Sequence, residues 1–353
     1  VSFLISAVFF SASLCAPESL MRIFTADQQL ISGGIVYLRI VAVSYLFTGI
    51  SQIYLCILKN MGYAMKSMVI GSASVVVNIF LNASLIFGLL FFPEMGIAGA
   101  ALATSISKLI EMIWACVESL RENRARLHMK YCFHADKVLV KDYWTFTTPM
   151  LGDYLVWGCG FTMYSVIMGH LGSDAVAANS IANIVKNLIV SFCTGLANGG
   201  GIIVGNELGM GDLKLAKKYG GLLWKMAIIS GVVSGLLLIA LSPLILNVTA
   251  LSPQAKDYLK WMLILCACYM VAKSINMTTI AGIFPAGGDS KFGLICDAVT
   301  MWIFAVPIGF LAAFYLRLPV VAVFLIINLD EVVKLPAAII HYQKYGWLKN
   351  ITR

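Results

Sequence analysis

The chain has 353 residues, of which 60% are hydrophobic and 12% charged, with a mean hydropathy of +0.89. That balance excludes an ordinary soluble domain, which needs far more polar surface. The formal net charge of +8 is no nucleic-acid signal, because Lys and Arg sit mostly in short loops between apolar runs and form no basic stripe with interleaved aromatics.

Apolar runs of about 20 residues, long enough to cross a bilayer, recur along the chain. They are continuous, whereas a membrane β-barrel shows short alternating segments. The fold class expected is therefore an all-α polytopic membrane protein. In chain order the spans fall at residues 1–24, 35–58, 68–92 and 96–118. A polar connector follows, and then spans at 143–171, 175–208, 219–248, 258–284, 292–316 and 320–342. That gives ten.

The first four spans echo the last four at an offset of about 225 residues. Ile5, Ser6, Val8, Ala16, Leu20 and Thr25 recur as Ile229, Ser230, Val232, Ala240, Leu244 and Thr249. Tyr37-Leu38-Arg39 recurs as Tyr258-Leu259-Lys260, Gly62 and Lys66 as Gly287 and Lys291, and Lys108-Leu109 as Lys334-Leu335. The stretch from Lys141 to Gly211 has no counterpart, since its partner would lie before Val1. The expectation is a twelve-helix protein of two six-helix repeats, seen here without its first two spans. On that reading residues 1–120 form an incomplete N-lobe (helices 3–6), 121–142 a connector and 143–353 a C-lobe (helices 7–12). An even number of spans per repeat makes the halves parallel, related by an axis along the membrane normal, with a transport site at their interface.

Loop charge sets the expected orientation. One side carries Arg121, Arg124, Arg126, Lys130, Lys137, Lys141, Lys59, Lys66, Lys214, Lys217, Lys218, Lys291, Lys344, Lys349 and Arg353. The other carries Arg22, Arg39, Lys256, Lys260 and Arg317. Fifteen against five places the connector and the C-terminus in the cytoplasm.

Ionisable residues inside a membrane are costly, about 2.5–3.5 kcal/mol each on insertion scales, and face the bundle interior or a wet cavity. Asp153 follows Pro149 by one turn, and Lys186, Lys273, Asp297, Glu331 and Lys334 also fall within spans. Depth makes Asp153 and Lys273 a plausible pair. Lys108 with Glu111, and Glu331 with Lys334, are spaced three apart and suit local ion pairs. Asn179, Asn183, Lys186 and Asn187 follow helical spacing and predict one polar stripe, lining a cavity or binding a neighbouring helix. Tyr154, Trp157 and Asn276 are further candidates for the same wall. Gly199, Gly200, Gly201 and Gly205 do not make a phosphate loop, because no strand precedes them and no Gly-Lys-Ser/Thr follows. They suit close helix packing. His128, His134, His170 and His341 lie in loops or at span ends and offer neither a catalytic triad nor a metal pair. The nine cysteines include no CxxC and read as buried free thiols.

Several stretches resemble the multidrug and toxic compound extrusion (MATE) transporters, especially the DinF-like bacterial members. They are Thr148-Pro149, the run from Gly169 to Ala182, Gly205-Asn206-Glu207-Leu208-Gly209, the run from Gly282 to Phe292, and Gly96-Ile97-Ala98-Gly99-Ala100-Ala101. The resemblance implies two six-helix lobes forming a V. It also implies export of organic, often cationic, compounds in exchange for H⁺ or Na⁺, with no cofactor and no metal. The family's N-lobe proton site uses an Asp on its first helix, which these residues do not include. The NorM-like branch has acids where Trp157 and, nearby, Ser274 stand here, so Asp153 and Lys273 are the local replacements to consider.

The function expected is a secondary antiporter exporting drugs or toxic compounds by alternating access. The partners expected are the lipid bilayer and a small organic substrate, with no nucleic acid, and the protein is expected to act as a monomer in a bacterial inner (plasma) membrane. The alternative is a lipid-linked oligosaccharide flippase of the same superfamily. A membrane-embedded enzyme is disfavoured for want of a catalytic constellation. The site residues expected are Asp153, Tyr154, Trp157, Asn179, Asn183, Lys186, Asn187, Lys273, Asn276 and Asp297.

Overall fold

A computed structural model describes residues 2–24, 28–89, 92–121 and 137–350. Arg124, Arg126, His128, Lys130 and His134 of the connector, and Arg353, lie outside the described residues, as does Thr25 of the repeat. The described residues form helices joined by short turns, and seven of these helices are long and apolar enough to cross a membrane. The other three expected spans are also helical but are broken or more polar.

The chain divides into two compact units, Val1–His134 and Ala135–Arg353. In the first, α1 (Ser2–Cys15) and α2 (Pro17–Phe24) make one interrupted rod. Pro17 has no N–H to continue the ladder, so the helix breaks at Ala16. This rod packs on α3 (Gln28–Asn60), which also packs with α4 (Ala64–Phe87) and α5 (Gly96–Ser119). Gly88 ends α4 with φ +64°, a left-handed cap that glycine adopts without a Cβ clash. A groove of about 600 Å³ runs between α3 and α4, walled by Leu55, Met68, Val75 and Val76 with Gln52 and Lys59.

The second unit starts with α6 (Lys137–Gly169), which begins six residues earlier than the sequence pattern suggested. Pro149 and Asp153 lie inside it, along with Lys141 and Asp142, which explains its lower apolarity. Next come α7 (Ser173–Met210) and α8 (Leu213–Val248). Asp212 caps α8 by accepting from the Leu215 N–H at 2.9 Å. Helix α9 runs Pro253–Ala286, opened by Ser252 as N-cap and widened into a π-helical segment over Met277–Ile283. Helix α10 runs Ser290–Tyr315 and widens likewise over Ala298–Ala305 and Leu311–Tyr315. The last span is two pieces, α11 (Val320–Asn328) and α12 (Asp330–Gln343), joined through Leu329.

Helix α9 is the centre of this unit, packing against α7, α8, α11 and α12. Met262, Leu263, Met270 and Ile283 are almost fully buried along it. The glycine-rich stretch of α7 works as a packing surface: a Cβ on Gly201 would meet the Gly282 carbonyl, and one on Gly282 would meet that of Ala197. The C-terminal turn is fastened by Trp347, which is buried and stacks on Tyr342 at 5.5 Å. Lys217 lies 4.0 Å from the centroid of the Tyr345 ring.

The eight described cysteines are free, but only Cys193, Cys266 and Cys296 are buried, which corrects the expectation of buried thiols. Cys15, Cys56, Cys159 and Cys268 lie on outward helix faces, where a small apolar thiol suits a lipid-facing surface.

Candidate functional site: a buried charge cluster in the second unit

The bends and interruptions of this unit bring ionisable side chains together inside it. Helix α9 presents Cys266, Tyr269, Lys273 and Asn276 along one face, spaced by three and four residues. That face meets the junction of α11 and α12. There the Tyr269 hydroxyl donates to Asn328 Oδ1 at 3.0 Å, and Lys273 Nζ donates to Glu331 Oε1 at 2.6 Å. Asn276 Nδ2 donates to the Glu331 carbonyl at 2.7 Å and to its Oε2 at 3.2 Å. Glu331 is thus held at both carboxylate oxygens and at its backbone by one face of α9.

This arrangement corrects two expected pairings. Lys273 is taken by Glu331 and does not pair with Asp153. Lys334 does not ion-pair with Glu331, three residues earlier. Its Nζ lies 3.0 Å from Asp297 Oδ1 on α10 and 3.2 Å from Asp330 Oδ2, one turn back on α12. The four-residue spacing to Asp330 aligns the two side chains, and Glu331 is rotated toward α9. Asp330 is absent from the residues expected from sequence, although Asp330 and Lys334 at i, i+4 within an apolar stretch are a readable signal. Tyr164, Tyr269 and Asn328 were missed as well; without neighbours in space they read as ordinary polar punctuation.

Asp153 sits on α6 beside α10. A Cβ on Gly293 would come within 3.5 Å of its Oδ2, and Gly152 packs against Leu294. The charges that reach Asp153 are those of Asp297 and Lys334. Its Oδ1 is buried and has no hydrogen-bond partner. Among the described carboxylates of this cluster, Asp153 alone has neither an ion pair nor a hydrogen bond. Asp297, Asp330 and Glu331 all have lysine partners. The Tyr164 hydroxyl is also buried without a partner, within electrostatic reach of Asp330 and Lys334.

The polar stripe of α7 divides, which corrects the single wall expected of it. Lys186 turns inward and is 6% exposed, whereas Asn187 is exposed and Asn179 and Asn183 are half-buried. Residues 186 and 187 are about 100° apart on a helix of 3.6 residues per turn, so burying one turns the other outward. Asn183 Nδ2 donates to Asn179 Oδ1 at 3.2 Å, which links the two along the helix. Lys186 Nζ lies 5.6 Å from the centroid of Phe161, and Phe161 stacks on Trp157 at 5.8 Å and 14°. Trp157 is 44% exposed and Tyr154 65% exposed. Tyr154 therefore lies off the cluster, while Trp157 reaches it through Phe161.

The first unit has a smaller buried centre. Glu111 accepts from Ser51 at 2.8 Å and Gln52 at 2.9 Å, and pairs with Lys108 at 2.7 Å, the i, i+3 pairing expected. Among the described residues no group of three or more His, Cys, Asp or Glu is placed to hold a metal ion. The second-unit cluster thus holds one carboxylate, Asp153, and one ammonium, Lys186, with no ion-pair partner among the described residues, in a setting otherwise paired.

The MatE family model matches residues 1–84 and 149–311. An uncharacterized transporter of Bacillus subtilis, YisQ, is 24% identical over 339 residues, covering 95% of this chain and 72% of that protein. The probable multidrug resistance protein NorM of Listeria innocua is 26% identical over 265 residues. That alignment covers 74% of this chain but only 58% of the relative, so the chain matches little more than half its length. Among solved structures, a MOP superfamily transporter from Pyrococcus furiosus superposes with a TM-score of 0.87 at 18% identity, covering 98% of this chain and 77% of that one. A crystal structure of MATE in the straight conformation gives 0.86 at 19% identity. At these identities the structural likeness establishes the fold alone.

Proposed function

The chain belongs to the MatE family, and from that premise we propose that it is the membrane part of a proton-coupled antiporter that exports organic amphiphiles, with Asp153 as the carboxylate that exchanges the proton. The single observation that carries this reading is the isolation of Asp153. The second-unit cluster contains four carboxylates, Asp153, Asp297, Asp330 and Glu331, and three lysines, Lys186, Lys273 and Lys334. Four negative and three positive charges leave one excess negative charge. One proton neutralises it, and Asp153 is the carboxylate whose proton displaces no existing ion pair.

Coupling requires that the ion bind two conformations of the protein with different affinity. A proton on Asp153 changes the field at Asp297, Lys334 and the neighbouring Cys296 thiol, which ties α6 to α10 and α12 electrostatically. Helix α10 is locally widened next to this point, over Ala298–Ala305, and such π-segments often occur at functional sites. Protonation would favour one arrangement of these helices, and substrate binding the other.

The protein would act in a bacterial plasma membrane with its connector and C-terminus in the cytoplasm; the fifteen-to-five loop charge bias supports this orientation. The intramembrane cations are few and all Lys, which suits a small organic cargo better than a large polyanionic lipid-linked glycan. The test is dye efflux from proteoliposomes under imposed H⁺ and Na⁺ gradients applied separately. Efflux is expected with the proton gradient alone. Efflux driven by Na⁺ at fixed pH would overturn the proton assignment, and no efflux under either gradient would overturn the antiporter reading.

A further inference from the structure

We propose that Lys186 is the counter-ion for an anionic group on the cargo, so that the preferred substrate is an aromatic amphiphile bearing a carboxylate. This deepens the efflux reading above and rests on it. Burying a charge costs several kcal/mol unless it is paired. Lys273 and Lys334 meet that requirement through Glu331, Asp297 and Asp330. Lys186 does not: it is 6% exposed, and among the described residues no carboxylate lies within ion-pairing distance and no hydrogen bond is made by its ammonium. Its one close partner is the Phe161 ring at 5.6 Å. A cation–π contact of that kind recovers only part of the cost of burial. Lys273, Glu331 and Asp330 all lie within electrostatic reach of Lys186, but the two carboxylates are held by Lys273 and Lys334.

A ligand can supply what the protein leaves out. Phe161 stacks on Trp157, and Trp157 is 44% exposed, so a continuous aromatic surface leads from the outside of the unit to the buried ammonium. A planar ring system would lie on that surface with its carboxylate on Lys186 Nζ. Asn183, three residues earlier on α7 and half-buried, keeps one amide hydrogen and its own oxygen for further polar contacts. A permanent cation without an acidic group gains the stacking and meets an unfavourable charge.

The test uses rhodamine B and its ethyl ester, which share one ring system and differ in a single carboxylate. Binding to the purified protein in neutral detergent is followed by fluorescence anisotropy for wild type, Lys186→Gln and Lys186→Arg. The wild type is expected to bind the acid at least about 10-fold more tightly than the ester. Lys186→Gln should abolish that preference by weakening acid binding at least about 10-fold while ester binding is kept or tightened, the retained ester binding also reporting that the variant is folded, and Lys186→Arg should keep the preference. Equal binding of acid and ester by wild type, or equal weakening of both by Lys186→Gln, would overturn the proposal and leave the multidrug reading intact. Binding of neither dye by wild type would overturn both.

Discussion

Replacing Lys334 with Met removes the one cation shared by two carboxylates. Lys334 Nζ lies 3.0 Å from Asp297 Oδ1 and 3.2 Å from Asp330 Oδ2, and the three side chains are only 4%, 10% and 6% exposed. Water cannot take over the role of the ammonium at such burial. Removing one partner of a buried pair costs about 3–5 kcal/mol, because it leaves an uncompensated charge. Here two carboxylates lose the same partner and then face each other, which puts Lys334→Met toward the top of that range. The reasoning also predicts the rescue. Lys334→Met combined with Asp297→Asn and Asp330→Asn removes all three charges, and replacing a whole buried ionic group is often neutral or better. The triple variant should therefore recover most of the loss. The assay is denaturant unfolding of purified protein in detergent, compared across wild type, single and triple variants. A single variant within about 1 kcal/mol of wild type, or a triple variant less stable than the single one, would refute the view that Lys334 is the electrostatic keystone of α10 and α12.

Other outcomes follow from the same packing. Gly201→Ala should destabilise by about 1–3 kcal/mol, since its Cβ would meet the Gly282 carbonyl, whereas Gly199→Ala, with open space around it, should be close to neutral; thermal unfolding of the two side by side checks this. Trp347→Ala should cost about 3–5 kcal/mol, because the indole is fully buried and stacked on Tyr342, and limited proteolysis of the C-terminus should speed up. Glu111→Ala strands Lys108, Ser51 and Gln52 and should destabilise the first unit by about 2–4 kcal/mol, while Glu111→Gln, which keeps an acceptor, should cost less.

The fold was readable because bilayer physics writes itself into composition. The apolar runs reveal the spans, whereas the break before Pro17 and the end of α4 at Gly88 fall inside runs whose apolarity continues past them. The candidate site was readable only as a set of residues. The sequence located Asp153, Lys186, Lys273, Asn276 and Asp297 within spans, because charge in an apolar run is conspicuous. It could not say who pairs with whom. Lys273 and Glu331 are 58 residues apart, and Lys334 and Asp297 are 37 apart, so their meeting depends on how α9, α10 and α12 rotate about their axes. The same uncertainty split the α7 stripe: helical spacing assigns residues to a face about 100° wide, and the packing of Lys186 against Phe161 decided which edge turned inward. Tyr269 and Asn328 acquire meaning only through each other.

The central claim is that Asp153 exchanges a proton against cargo. The most direct measurement is the proton release that accompanies dye binding, followed with a pH indicator in weakly buffered detergent solution. At a starting pH acidic enough for Asp153 to carry its proton in the dye-free protein, wild type should release close to one proton per dye bound, with dye affinity falling as the solution is acidified further. Asp153→Asn should still bind dye, with no proton release and no pH dependence. Proton release by Asp153→Asn equal to that of wild type would contradict the assignment and move the exchanging carboxylate elsewhere in the protein.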